Sequence, residues 1–161
     1  MQAKPQRKID KLKERLREYL GLLREIDNQR ARLECMTASA YEPSGPNLTG
    51  MPKAKGGVST PTANAAERLI ELEEDIRKKQ ADEKTERDAI ERMIARMDNP
   101  DERVVLRMNY FDRAEWPDIC FVLFGDRMDY IDRFEYYKNC TYKTHGRALL
   151  NLADVMDTET T

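Results

Sequence analysis

The chain has 161 residues, 36% of them charged and 40% apolar, with a net charge of −2. That length gives room for one compact domain plus an extension, and so high a charge points to helices with solvated faces, not to a large buried sheet. No apolar run of about eighteen residues occurs, so no membrane span is expected, and the Lys and Arg near the N-terminus precede no apolar core of the kind a signal peptide needs. Cys35, Cys120 and Cys140 lack C-x-x-C spacing and His145 is the single histidine, too few ligands for a zinc site. A reduced, cytoplasmic chain with free thiols is expected.

The small net charge hides a polarity. Residues 1–38 carry ten Lys/Arg against six Asp/Glu, whereas residues 64–98 carry eight against eleven and residues 99–161 eight against twelve. A basic first helix and an acidic second helix attract each other when antiparallel, although each exposed pair contributes little.

The first predicted helix carries Ile9, Leu16 and Leu23 at seven-residue spacing, with Leu12, Tyr19, Ile26 and Leu33 as a second series. This is an a/d seam over about four heptads. Gly21 lowers helix propensity by about 1 kcal/mol relative to alanine without ending the pattern. Residues 39–63 lose the periodicity and concentrate Pro and Gly, the composition of a disordered linker. A second helix is expected from about Asn64, read as its N-cap, to Asp98. Leu69, Leu72 and Ile76 form one apolar end and Ile90, Met93, Ile94 and Met97 the other. Lys79, Glu83 and Glu86 occupy the seam between them, so the middle of this helix should pack poorly. An antiparallel hairpin with Ile9 near Met97 and Leu33 near Leu72 follows, and such a hairpin is also a route to homo-oligomerisation.

Asn99-Pro100 breaks the second helix. A third helix places Val104, Val105, Met108 and Phe111 on one side. A fourth starts near Glu115, with Pro117 and Asp118 suited to a first turn. Trp116, Ile119, Cys120 and Leu123 face inward, and Gly125 ends it. Met128, Ile131, Phe134 and Tyr137 keep a helical phase that continues through Thr141, His145, Ala148, Leu152 and Val155. The Tyr136-Tyr137 pair with Phe134 is read as core packing, with a protein-binding face as the alternative.

Three short motifs in this last third carry a resemblance. Leu106, Arg107 and Tyr110, then Trp116, Ile119 and Leu123, then His145, Ala148 and Leu149 resemble the C-terminal helix-turn-helix of sigma factors. More closely they resemble the phage late transcriptional regulators of the RinA/ArpU type, over about residues 64–155. Periodicity and composition give an all-α protein with a helical, coiled-coil-like hairpin over residues 1–98 and its linker at 39–63, and the resemblance implies a sigma-like helix-turn-helix domain over 99–157. The agreement breaks at the turn. A compact motif starts its recognition helix three or four residues after the first helix ends, which would place the acidic stretch 126–138 in the groove. Residues 140–152 contain Lys143 and Arg147 and no acid. The reading helix is therefore assigned there, and 126–139 becomes an insertion in the turn or an N-terminal extension of that helix.

Tyr142, Lys143, His145 and Arg147 are the candidate DNA-binding residues. Solvated charge explains Lys143 and Arg147 equally simply, and Tyr142 has packing as its alternative. No catalytic residue, metal site or cofactor is expected, because no Gly-rich phosphate loop, ligand spacing or nucleophile–base set occurs. The expected function is a DNA-binding transcriptional regulator of phage type, with double-stranded DNA as partner and RNA polymerase as a second partner implied by the resemblance. Two rivals stand beside it. A small terminase-like packaging subunit would form a ring of defined mass, and a protein-only helical adaptor would show no salt-dependent association with duplex DNA.

Overall fold

The computed structural model describes residues 4–41 and 60–159, which form helices joined by turns with no strand among them. Helix α1 spans Lys4–Tyr41, α2 Thr60–Ala95, α3 Pro100–Leu106, α4 Trp116–Phe124 and α5 Phe134–Glu159, with a π-helical turn at Arg107–Phe111 after α3. Two compact units divide these residues, one formed by 4–21 with 84–159 and the other by 22–41 with 60–83. Most of the linker expected at 39–63 lies outside the described residues, while 39–41 end α1 and 60–63 open α2.

Asn64 does not cap α2, which begins at Thr60. Pro61 falls in its first turn, where a missing N–H has no intrahelical partner to lose. The far end also differs, since α2 stops at Ala95 and not at Asp98. Its last turn tightens into three-residue bonds, Arg96 N–H to Met93 O (3.2 Å) and Met97 N–H to Ile94 O (3.0 Å). The residue before Pro100 is driven out of helical backbone, and Asn99 is extended at ψ 117°.

Within residues 22–83, Ile26 and Ile76 are the buried large apolar side chains among those described. Leu33, Leu69 and Leu72 are half-buried. Cys35 and Met36 border a cleft with Ala65 and Leu69, and Lys79 Nζ meets Glu25 Oε2 at 2.6 Å. These pairings run antiparallel. The seam lysine that breaks the apolar pattern of α2 is therefore answered by a carboxylate on α1.

The other unit holds the core. Leu12, Leu16 and Tyr19 of α1, Ile90, Met93, Ile94 and Met97 of α2, Val105 and Leu106 of α3, Ile119 and Cys120 of α4, and Ala148, Leu152 and Ala153 of α5 are all buried. Seam residue Glu86 binds Arg15 through both oxygens, at 2.5 and 3.2 Å. Two of the polar seam positions, Lys79 and Glu86, are thus ion-paired where poor packing was expected.

Asn99 caps α3, its Oδ1 accepting the Asp101 N–H at 3.0 Å, with Pro100 opening the helix. Glu102 is buried. Its carboxylate accepts from Asn151 Nδ2 of α5 at 2.6 Å and from Asn99 Nδ2 at 3.4 Å, so the buried charge is held by amide donors. After Leu106 the helix widens, with Asp112 N–H reaching Arg107 O at 3.1 Å. Arg113 then reverses the chain at φ 52°, and Ala114 N–H closes the end on Met108 O at 2.9 Å. The extra residue in the π turn changes the helical phase from Arg107 onward, whereas Val104 to Leu106 precede it in α3. Val105 is fully buried as expected, but Val104, Met108 and Phe111 are half-buried and Leu106 goes inward.

Gly125 ends α4, though not through left-handed backbone, since its φ is −58°. A Cβ there would lie 2.5 Å from the Phe121 carbonyl oxygen, so the position requires the absence of a side chain. Residues 126–133 form successive turns, and α5 begins at Phe134. The segment 126–139 is therefore part turn and part N-terminal extension of the last helix. Met128 and Ile131 leave the predicted phase and stand 105% and 87% exposed. Tyr130 takes the inner position, its ring 5.8 Å from Phe134 and 6.0 Å from Tyr137. From Phe134 onward the predicted phase holds, with Tyr137, Thr141, Ala148 and Leu152 buried.

Candidate nucleic-acid interface

Helix α5 packs over α3 and α4, and this packing divides its surface. One face is spent on the core. Two of its inward residues are threonines, satisfied within the helix: Thr141 Oγ1 donates to Tyr137 O and Thr144 Oγ1 to Cys140 O, each at 3.0 Å. The outer face over 140–152 carries Tyr142, Lys143, Gly146, Arg147 and Leu150, all exposed.

The four sequence-predicted residues fall into two groups. Tyr142 and His145 turn toward α4 and the π turn. Trp116 meets Tyr142 edge-on at 4.8 Å and His145 at 5.2 Å. Tyr110 stacks on His145 at 6.0 Å, with its hydroxyl 3.4 Å from Nε2. Burial holds the His145 imidazole below its ordinary range, and the positive charge of Lys13 adds to this. The ring is neutral at pH 7 and offers a hydrogen-bonding edge, not a charge. Burial likewise raises the Tyr110 hydroxyl, opposed by Asn109 and Arg17.

Lys143 and Arg147, one turn apart, border a groove of about 750 Å³ together with Gly146, Leu150, Phe124 and Asp101. Neither forms an ion pair among the described residues. Arg107, by contrast, is committed to the fold. Its guanidinium straddles Glu91, with Nε at 2.9 and 3.1 Å from the two oxygens and a further short contact to Oε1.

Sequence reasoning placed Trp116 in the core and His145 among polar contacts without joining them. The structure brings Tyr110, Trp116, Tyr142 and His145 into one aromatic cluster. Their order along the chain was a weak signal, because all but Tyr142 belong to the three short motifs. The contact itself depends on how α5 crosses α4. Lys13 and Arg17, whose charges reach His145 and Tyr110, lie about a hundred residues away and carried no such signal.

No group of three or more His, Cys, Asp or Glu side chains with metal-binding geometry occurs among the described residues. None of their helices is long and apolar enough to cross a membrane. No curated protein and no solved structure matches the chain. A family model described as "Protein of unknown function (DUF1492)" matches residues 44–144, which include α2, α3, α4 and the first part of α5, and the chain belongs to that family.

Proposed function

We propose that this protein is a DNA-binding transcriptional regulator of phage type that acts with RNA polymerase, with α3, α4 and α5 serving as a sigma-like helix-turn-helix and α5 as its reading helix. The observation that carries the reading is the outer face of α5. Over residues 140–152 it has no acid and presents Lys143 and Arg147 unpaired, in a region that is otherwise acidic. Phosphate contacts of this kind dominate affinity and make it salt-dependent. The general association of the family with phage agrees with the reading. The connection between α4 and α5, residues 125–133, is longer than a compact helix-turn-helix uses. The reading helix would therefore dock at its own angle.

The test is a salt titration on duplex DNA from the protein's own genomic locus. Lys143→Ala with Arg147→Ala should weaken binding and flatten the dependence of log affinity on log salt by up to about two units, at about 0.9 for each phosphate that is no longer neutralised. Equal affinity of wild type and double variant at every salt concentration would remove α5 from the interface.

One observation favours the protein-only adaptor as a second reading. Phe121, Val122, Met128 and Ile131 are all more than half exposed, and Asp118, Asp126 and Asp132 lie exposed among them in the chain. Exposed apolar side chains with acidic neighbours in the chain suit a protein partner better than DNA. Wild-type protein that binds no DNA fragment at any salt concentration would favour this reading.

A further inference from the structure

The DNA-facing part of the C-terminal helices is short of positive charge, with two unpaired cations on α5 and an acidic composition around them. The chain places its surplus of cations elsewhere: residues 1–21 carry seven Lys/Arg against three Asp/Glu. The first half of α1 belongs to the same compact unit as α5, and two contacts fix its course beside it. At one end Lys8 Nζ lies 2.6 Å from Asp157 Oδ2 and 3.7 Å from Asp154 Oδ1, near the C-terminus of α5. Toward the other, Tyr19 meets Phe111 of the π turn edge-on at 5.9 Å.

Between these points Leu12, Leu16 and Tyr19 turn into the core. Lys13 and Arg17 follow two of them by one residue, about 100° around the helix, and both are exposed. Lys8 and Arg15 on the same helix are spent on ion pairs with α5 and α2, whereas Lys13 and Arg17 form none among the described residues. On α5, His145 stands about 200° around the helix from Lys143 and from Arg147, and Tyr110 of the π turn meets it there, its hydroxyl 3.4 Å from Nε2; the charges of Lys13 and Arg17 act on these two residues.

We infer that Lys13 and Arg17 form a second phosphate-contacting row of the same interface, lying across α5 from Lys143 and Arg147, so that DNA is held by α1 and α5 together. This rests on the DNA-binding reading given above. The geometry suits a duplex. A helix with its side chains is about 10–12 Å across and the major groove about 12 Å wide, so a helix in the groove has a phosphate strand on each side. Each row faces one strand, and the strip between them on α5 holds Tyr142 and Gly146. Gly146 has no atom within 4 Å of where a Cβ would stand. Nothing in the fold requires a glycine there, in the middle of a helix where it is unfavourable, and a bare position on the face that meets DNA allows close approach.

The experiment compares four proteins by salt titration on one locus-derived duplex: wild type, Lys13→Ala/Arg17→Ala, Lys143→Ala/Arg147→Ala, and the charge-preserving Lys13→Arg/Arg17→Lys. Circular dichroism of each checks that the helices persist, and Lys13→Gln/Arg17→Gln replaces the alanine pair if that pair fails to fold. The expected result is that removing the α1 pair flattens the salt slope by up to about two units, comparably to removing the α5 pair, while the charge-preserving exchange keeps the wild-type slope. Wild-type binding that responds to the α5 pair but not to the α1 pair would overturn this inference and leave the DNA-binding reading intact. A wild type that binds no duplex at low salt would overturn both.

Discussion

The described residues of 22–83 are helical throughout and those of the rest of the chain are helical but for their turns, and both regions are rich in charge, yet they bury apolar surface very differently. Among the described residues, two buried hydrophobic side chains lie in the first region and sixteen in the second. In 22–83 one face of each helix meets one other helix, and the seam is interrupted by residues such as Lys79. In the other unit each helix is covered from more than one direction, so even short α3 and α4 bury Val105, Leu106, Ile119 and Cys120 completely. Helix length and pattern therefore measure stability poorly. The number of elements meeting at a side chain decides how much water it loses.

That contrast is tested most directly by truncating one side chain from each region. Leu106→Ala, fully buried, should cost about 3–5 kcal/mol in chemical denaturation. Leu69→Ala in the two-helix region, where the side chain is half-buried, should cost about 1 kcal/mol or less. Equal losses would mean that the paired helices hold as firm a core as the compact unit.

Trp116→Ala comes next. The indole is half-buried and touches Tyr142 and His145, so the loss should be about 2 kcal/mol, below the usual range for a fully buried Trp. Its tryptophan fluorescence, unique in the chain, should move to the red on unfolding of the wild type. An emission maximum already at the fully hydrated position would remove Trp116 from the cluster.

A smaller effect is expected from pH. His145 has a folded-state proton affinity below that of the unfolded chain, where its ordinary value is 6.5. Between the two values the unfolded state binds more protons, so this residue's contribution to stability is full above 6.5 and is lost as pH falls below it. Melting curves from pH 8 to 5 should show a steeper decline for wild type than for His145→Gln. Parallel curves would mean that the ring is hydrated in the folded protein.

The last and slightest change is a gain. Gly146→Ala fills open space and should raise stability by about 0.4–1 kcal/mol, while weakening duplex binding if DNA approaches the helix there. A gain in stability without any change in binding would leave Gly146 without a role at the interface.

Much of the fold was legible because its signals are local. The heptad series picked out Leu12, Leu16, Tyr19 and Ile26, all buried, since a 3.5-residue repeat puts one stripe on a helix wherever the helix lies. Asn99-Pro100 marked the start of α3, and Gly125 marked the end of α4, though for reasons of clearance and not of left-handed backbone. The start of α2 was misplaced because Asn64 suits a cap and helix interior alike, and Pro61 permitted an earlier turn. Met128 and Ile131 carried a helical spacing that the chain does not use. Turns form there because Asp129 accepts the Tyr137 hydroxyl at 2.7 Å and Tyr130 occupies the inner position, contacts invisible to periodicity.

The candidate interface divides in the same way. Which residues can face solvent on α5 follows from the chain alone, because an acid-free stretch with Lys143 and Arg147 at helical spacing is a property of one segment. Packing in three dimensions was needed to show that Tyr110, Trp116, Tyr142 and His145 share a cluster, that Arg107 is bound by Glu91, and that the charges of Lys13 and Arg17 reach His145 and Tyr110. The physical reason is that helical periodicity fixes a side chain's angle about its own axis and nothing about which distant helix will lie beside it. That choice is made by the packing of buried apolar faces, and the charged residues are carried into place by it.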